Sequence, residues 1–176
     1  MRDAVAEVGR YLGLPSEPTT PNLAENKQRL AALKEALPRY FALSKALADD
    51  DLGAAHKAVG DLVASLGTLG IENSTLEPSK DLAAMRKAFE PVSDALITMV
   101  EEIGADRVGN VYVVHCPMAF DYEGADWLSR EPSVLNPYFG DEMLTCGTVT
   151  ANLSFDPDRP AKRHEAEADD PHKHHR

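Results

Sequence analysis

The chain has little of several things, and each shortage removes a class of function. No stretch approaches the roughly 18 consecutive apolar residues that a membrane-spanning helix needs, so membrane insertion is not expected. Basic residues are scarce: 18 Lys and Arg stand against 29 Asp and Glu, a formal net charge of −11. Nucleic acids and anionic membranes are bound through basic footprints that release counterions, and no basic stripe offsets the deficit. Neither is expected as a partner. There is no phosphate-binding glycine loop, no His-Glu-x-x-His and no Gly-x-Ser-x-Gly, and no enzymatic activity is expected. Cysteine is limited to Cys116 and Cys146, which could close a disulfide or ligate a metal; the count alone does not choose.

What is present suits one compact domain, since a chain of 176 residues is long enough to bury a sizeable core. Met1 to Leu14 carry Arg2, Asp3, Glu7 and Arg10, so they do not form the uninterrupted apolar core of a secretory signal. Residues 2–12 can make a short helix with Val5, Val8 and Leu12 on one side. Pro15, Pro18 and Pro21 then fix φ and withhold backbone donors, which makes 1–21 an N-terminal helix followed by a Pro-rich linker. At the other end 156–176 is charged and poor in large apolar residues, and reads as a disordered tail. Its His164, His172, His174 and His175 could hold Cu(II), Ni or Zn loosely. The domain proper is therefore 22–155.

Its first part is helical by period. Leu23, Leu30, Leu33, Leu37, Tyr40 and Leu47 form one stripe that should run to about Ala48, with a kink or restart at Pro38. Asp49, Asp50 and Asp51 break that helix and cap the next. Leu52, Ala55, Val59, Leu62, Leu66 and Leu69 form the second stripe, and Leu82, Met85, Phe89, Val92, Leu96, Met99 and Ile103 the third, opening near Ser79. Pro91 predicts another kink, and Gly104 a stop. Short connections between facing stripes imply a mainly α fold, an up-down-up antiparallel bundle of three helices, or four with the N-terminal one.

After Asp106 the period changes. Val111 to His115 is β-branched and aromatic, and Thr148 to Leu153 alternates polar with apolar, so a small two-stranded β element is expected. Between them Pro117 to Thr145 holds Trp127, Leu135, Tyr138 and Phe139, the composition of an ordered, aromatic-packed loop. Pairing of the strands would bring Cys116 and Cys146 to adjacent strand ends.

Around those ends gather Cys116, Met118, Met143 and Cys146, with His115 beside them. Thiols and thioethers select Cu(I) and related soft ions over hard cations. The plainer reading of the residue types is a structural disulfide or two buried thiols, worth roughly 3–4 kcal/mol if bonded, on the chain-entropy account, with both methionines as core filler. A nucleophilic His-Cys pair is disfavoured, because neighbouring residues in a strand point to opposite faces and no second activating group is evident.

Five ordered motifs carry a resemblance: Arg86-Lys87-Ala88-Phe89-Glu90-Pro91-Val92-Ser93-Asp94-Ala95-Leu96, Cys116-Pro117-Met118-Ala119, Gly124-Ala125-Asp126-Trp127-Leu128-Ser129, Asn136-Pro137-Tyr138-Phe139-Gly140, and Met143-Leu144-Thr145-Cys146-Gly147. Over about Asn22 to Leu153 the chain resembles the uncharacterised helical domain often found C-terminal to CusB-like adaptors of bacterial copper and silver efflux. The resemblance implies a periplasmic or cell-envelope location and a role in handling Cu(I) or Ag(I), with an efflux adaptor or pump as partner. It implies Cys116, Cys146, Met118 and Met143 as metal ligands, with His115 as an addition, and Trp127, Asn136, Pro137, Tyr138 and Gly140 as the loop's scaffold. The barrel-sandwich and hairpin regions of an adaptor are absent, so the chain is either a fragment or a free-standing member. The rival expectation is an interaction module whose Cys116–Cys146 disulfide stabilises the loop.

Overall fold

A computed structural model describes residues 23–71 and 76–153. The expected helix over 2–12, the Pro-rich linker and the His-containing tail lie outside the described residues.

Helix α1, Leu23–Ala48, buries Leu33, Leu37, Tyr40, Leu43 and Leu47 completely. Pro38 sits inside it, and the helix does not restart there. Asp50 takes a left-handed φ of 57° in the turn that follows, and Asp51 caps α2 (Leu52–Thr68) by accepting the Ala54 N–H at 2.9 Å. That bond satisfies one of the donors a helix leaves open at its start. α2 packs along α1, and its Ala55, Val59, Leu62 and Leu66 are all buried. Asp81 caps α3 (Leu82–Ile103) in the same way, at Ala83 N, and Gly104 closes it with φ 96°. The expected stripe is the buried face of α3 at Met85, Phe89, Val92, Leu96 and Met99, while Leu82 and Ile103 are half-buried. Pro91 too lies within one continuous helix.

The β element differs from the expectation. It has three antiparallel strands, in the order β2-β1-β3, with β1 (Tyr112–Cys116) between β2 (Ala125–Ser129) and β3 (Thr148–Asn152). The extra strand comes from inside the segment expected to be loop. Its pattern hides it: Ala125, Trp127 and Leu128 are all buried, so adjacent residues on opposite faces are both covered and the period of two is lost. α3 meets β2 more extensively than it meets α1, so its apolar face is shared between helix and sheet.

An aromatic line joins these layers. Tyr40 of α1 stacks on Phe89 of α3 at 4.9 Å, Phe89 meets Tyr138 at 6.0 Å, and Tyr138 takes Trp127 of β2 edge-on at 5.8 Å. The polar ends of the tyrosines are satisfied, as buried hydroxyls require. Tyr40 Oη shares a hydrogen bond with Ser93 Oγ at 2.8 Å and accepts the Leu128 N–H at 3.0 Å. Tyr138 Oη donates to the Asp126 carbonyl at 2.7 Å.

Candidate functional site

Cys116 ends β1 and faces the core, with none of its surface exposed. Cys146 is half-buried on the turn that leads into β3, where its N–H donates to the Met143 carbonyl at 2.9 Å. Asn136 holds that turn. Wholly buried, it donates from Nδ2 to the Cys146 carbonyl and from its backbone N–H to the Leu144 carbonyl, each at 2.8 Å, and its Oδ1 accepts the Tyr138 N–H at 2.8 Å. Gly147 lets the turn close on the sheet. Its φ is 137°, and a Cβ there would stand 2.9 Å from the Trp127 ring and 3.0 Å from the His115 carbonyl.

The outcome is a sulfur pair. Cys116 Sγ and Cys146 Sγ are 3.2 Å apart, and both are free thiols. The distance lies between two chemical states: a disulfide bond is about 2.05 Å long, and two thiolates on one tetrahedral ion, with bonds of about 2.3 Å, stand roughly 3.8 Å apart. Closing to a disulfide takes an approach of about 1.2 Å, and opening to such a tetrahedral pair a separation of about 0.6 Å. The hydrogen bond with Cys116, reinforced by burial, raises the pKa of the Cys146 thiol. A thiol with a raised pKa is a slower nucleophile at neutral pH than one whose thiolate is favoured by nearby positive charge.

The other expected ligands are placed differently. His115 is paired with Asp126 across the β1–β2 ladder, Nδ1 to Oδ1 at 3.0 Å, and strand alternation sends it to the face opposite Cys116. Its ring lies over Gly124, where an added Cβ would come within 2.9 Å of Cε1. Met118 and Met143 both line a cleft of about 670 Å³, together with Phe120, Tyr122 and Tyr138, and neither cysteine nor His115 is among the lining residues. Among the described residues no three His, Cys, Asp or Glu side chains are grouped to hold a metal ion. Met118 and Met143 thus share a cleft that the thiols do not line, and His115 lies on the far face of β1.

Two features of this region go beyond the sequence reading. Arg86, only 14% exposed at its side chain, joins Asp50, the Leu47 carbonyl (2.8 Å) and the Pro137 carbonyl (3.0 Å), fastening the loop to α1 and α3. Gly140 packs against that ion pair so closely that a Cβ would collide with Arg86 Nη2 and both Asp50 carboxylate oxygens. Its presence in Asn136-Pro137-Tyr138-Phe139-Gly140 was the available signal. The second feature is a left-handed turn at Phe120, Asp121 and Tyr122, with φ 51°, 58° and 71°, forming one wall of the cleft. Three successive non-glycine residues there store local strain, and nothing in their residue types announces it.

No family model, no curated protein and no solved structure was found to match this chain.

Proposed function

We propose that Cys116 and Cys146 bind one Cu(I) or Ag(I) ion as a dithiolate, and that the domain passes the ion to, or senses it for, a heavy-metal efflux adaptor or pump of the cell envelope. The observation that carries this reading is the 3.2 Å separation of the two sulfurs, with one of them half-buried and so within reach of an arriving ion. Thiolate softness supplies the preference for monovalent copper and silver. Met118 and Met143, two residues after one cysteine and three before the other, are the further soft donors in this reading. Asp126 engages His115 at Nδ1, so His115 would join the ligand set through Nε2, by turning from the face opposite Cys116. The efflux setting and the cell-envelope location rest on the resemblance of the five motifs. The scaffold belongs to the proposal in its finer form, an up-down-up bundle of α1, α2 and α3 bent at Pro38 and Pro91.

The test is Cu(I) competition against a chromogenic chelator, with the wild type and a Cys116→Ser, Cys146→Ser variant. The proposal expects tight one-to-one binding that the variant loses; equal affinity of the two proteins would overturn it. The second reading is an interaction module in which these cysteines form a disulfide that pins the loop, favoured by the complete burial of Cys116. Thiol counting under denaturing conditions, on protein purified anaerobically from its native compartment, separates the two: two free thiols support the metal reading, and none supports the pin.

A further inference from the structure

The two thiols differ in a way that soft-ion binding does not use. Cys116 has no exposed surface and lies at the end of the central strand, while Cys146 is half-buried on a turn. A reagent in solution therefore meets Cys146 first. Once Cys146 carries a group, the next sulfur in reach is Cys116, and their 3.2 Å separation falls within the roughly 3–3.5 Å of a near-attack arrangement. Substitution at sulfur proceeds in line. Attack by Cys116 therefore requires the departing group on Cys146 to lie opposite it, in line with the two sulfurs.

We infer that this pair is a reversible dithiol that takes up oxidising equivalents from a low-molecular-weight disulfide, with Cys146 as the entering sulfur and Cys116 as the resolving one. In the first step Cys146, having given its proton to solvent, attacks one sulfur of R–S–S–R. The S–S bond breaks, R–S⁻ leaves and takes up a proton, and Cys146 is held as the mixed disulfide. In the second step Cys116 loses its proton and attacks Cys146 Sγ, and the second R–SH leaves. Two protein thiols become one disulfide, and one small disulfide becomes two small thiols. The chemistry needs no metal, so it stands or falls apart from the soft-ion proposal.

The experiment incubates the reduced full chain with oxidised glutathione in the presence of a metal chelator and follows intact mass and free thiols. The wild type is expected to lose both thiols and retain no glutathione. Cys116→Ser is expected to accumulate one stable adduct on Cys146, and Cys146→Ser to react at least about tenfold more slowly, since buried thiols are inert. Similar rates for the two variants, or a wild type that keeps the adduct without closing the internal bond, would overturn the inference. A measurement on unmutated protein guards against misfolded variants: brief alkylation of the native reduced chain, mapped by peptide, should label Cys146 at least about tenfold faster than Cys116. Equal labelling would overturn the inference as well.

Discussion

The Asp50 carboxylate, in the turn between α1 and α2, accepts the backbone N–H of Asp141 at 2.9 Å while it pairs with Arg86. The Asp141 hydrogen bond first, and the bond to Arg86 second, lower the Asp50 pKa below its ordinary 3.8. A carboxyl whose folded pKa is depressed gives stability that is complete above the unfolded value and lost as pH falls through the folded one. We predict that acid destabilises the wild type more than Asp50→Asn as pH drops below about 4. Urea midpoints of both proteins between pH 6 and pH 2.5 check this. Glu90 acts with the opposite sign, its pKa raised by burial and by the nearby Asp94 and Glu123 carboxylates, so the difference between the two proteins is the quantity to read.

Removing one oxygen tests the link between α1 and the sheet. Tyr40→Phe keeps the stacked ring but withdraws the acceptor for the buried Leu128 N–H and the partner of Ser93. An unsatisfied buried donor costs about 1–3 kcal/mol, and we expect a loss of that size in denaturant unfolding. Ser93→Ala should cost less, because it leaves the Leu128 bond in place.

Gly140 tests the Arg86 anchor. Alanine there must hold φ 61° and place its Cβ on the Asp50–Arg86 pair, so Gly140→Ala should destabilise by about 1–3 kcal/mol from backbone strain alone and by more once the pair is displaced. In an Arg86→Ala background the extra part of the penalty should shrink, an interaction that a double-mutant cycle of unfolding free energies measures.

Soft-ion binding, if the thiol pair performs it, displaces thiol protons. Because the Cys146 pKa is raised, apparent Ag(I) or Cu(I) affinity should increase steadily with pH across the neutral and mildly alkaline range, and proton release should accompany binding. Titrations in two buffers of different ionisation enthalpy read that release. Prior oxidation to the Cys116–Cys146 disulfide should abolish the binding, and reduction should restore it.

The helices were legible in the sequence because their chemistry is local. The α2 and α3 stripes repeat every three or four residues, and Asp51 and Gly104 mark ends by their own capping and conformational preferences. The proximity of Cys116 and Cys146 was legible too, once β1 and β3 were recognised as partners. β2 was not, since the burial of both Trp127 and Leu128 erases the alternation that identifies a strand. Nor was the cleft that Met118 and Met143 share: two or three residues of sequence distance from a cysteine do not fix which surface a side chain lines. The Asp50–Arg86–Asp141 contact joins three distant segments, and no local pattern encodes it.

The Tyr40 hydroxyl has a consequence for association between molecules. A strand at the margin of a sheet offers its outward N–H and C=O groups to any passing chain. On the β2 side, the Leu128 N–H is already taken by a side chain from α1, and an incoming strand would have to displace it. β3 is the opposite margin, with no further strand beyond it among the described residues, and Val149 on it is partly exposed. The sheet is therefore guarded at Leu128, and strand addition by another chain along the β2 margin has to break the Tyr40 contact first.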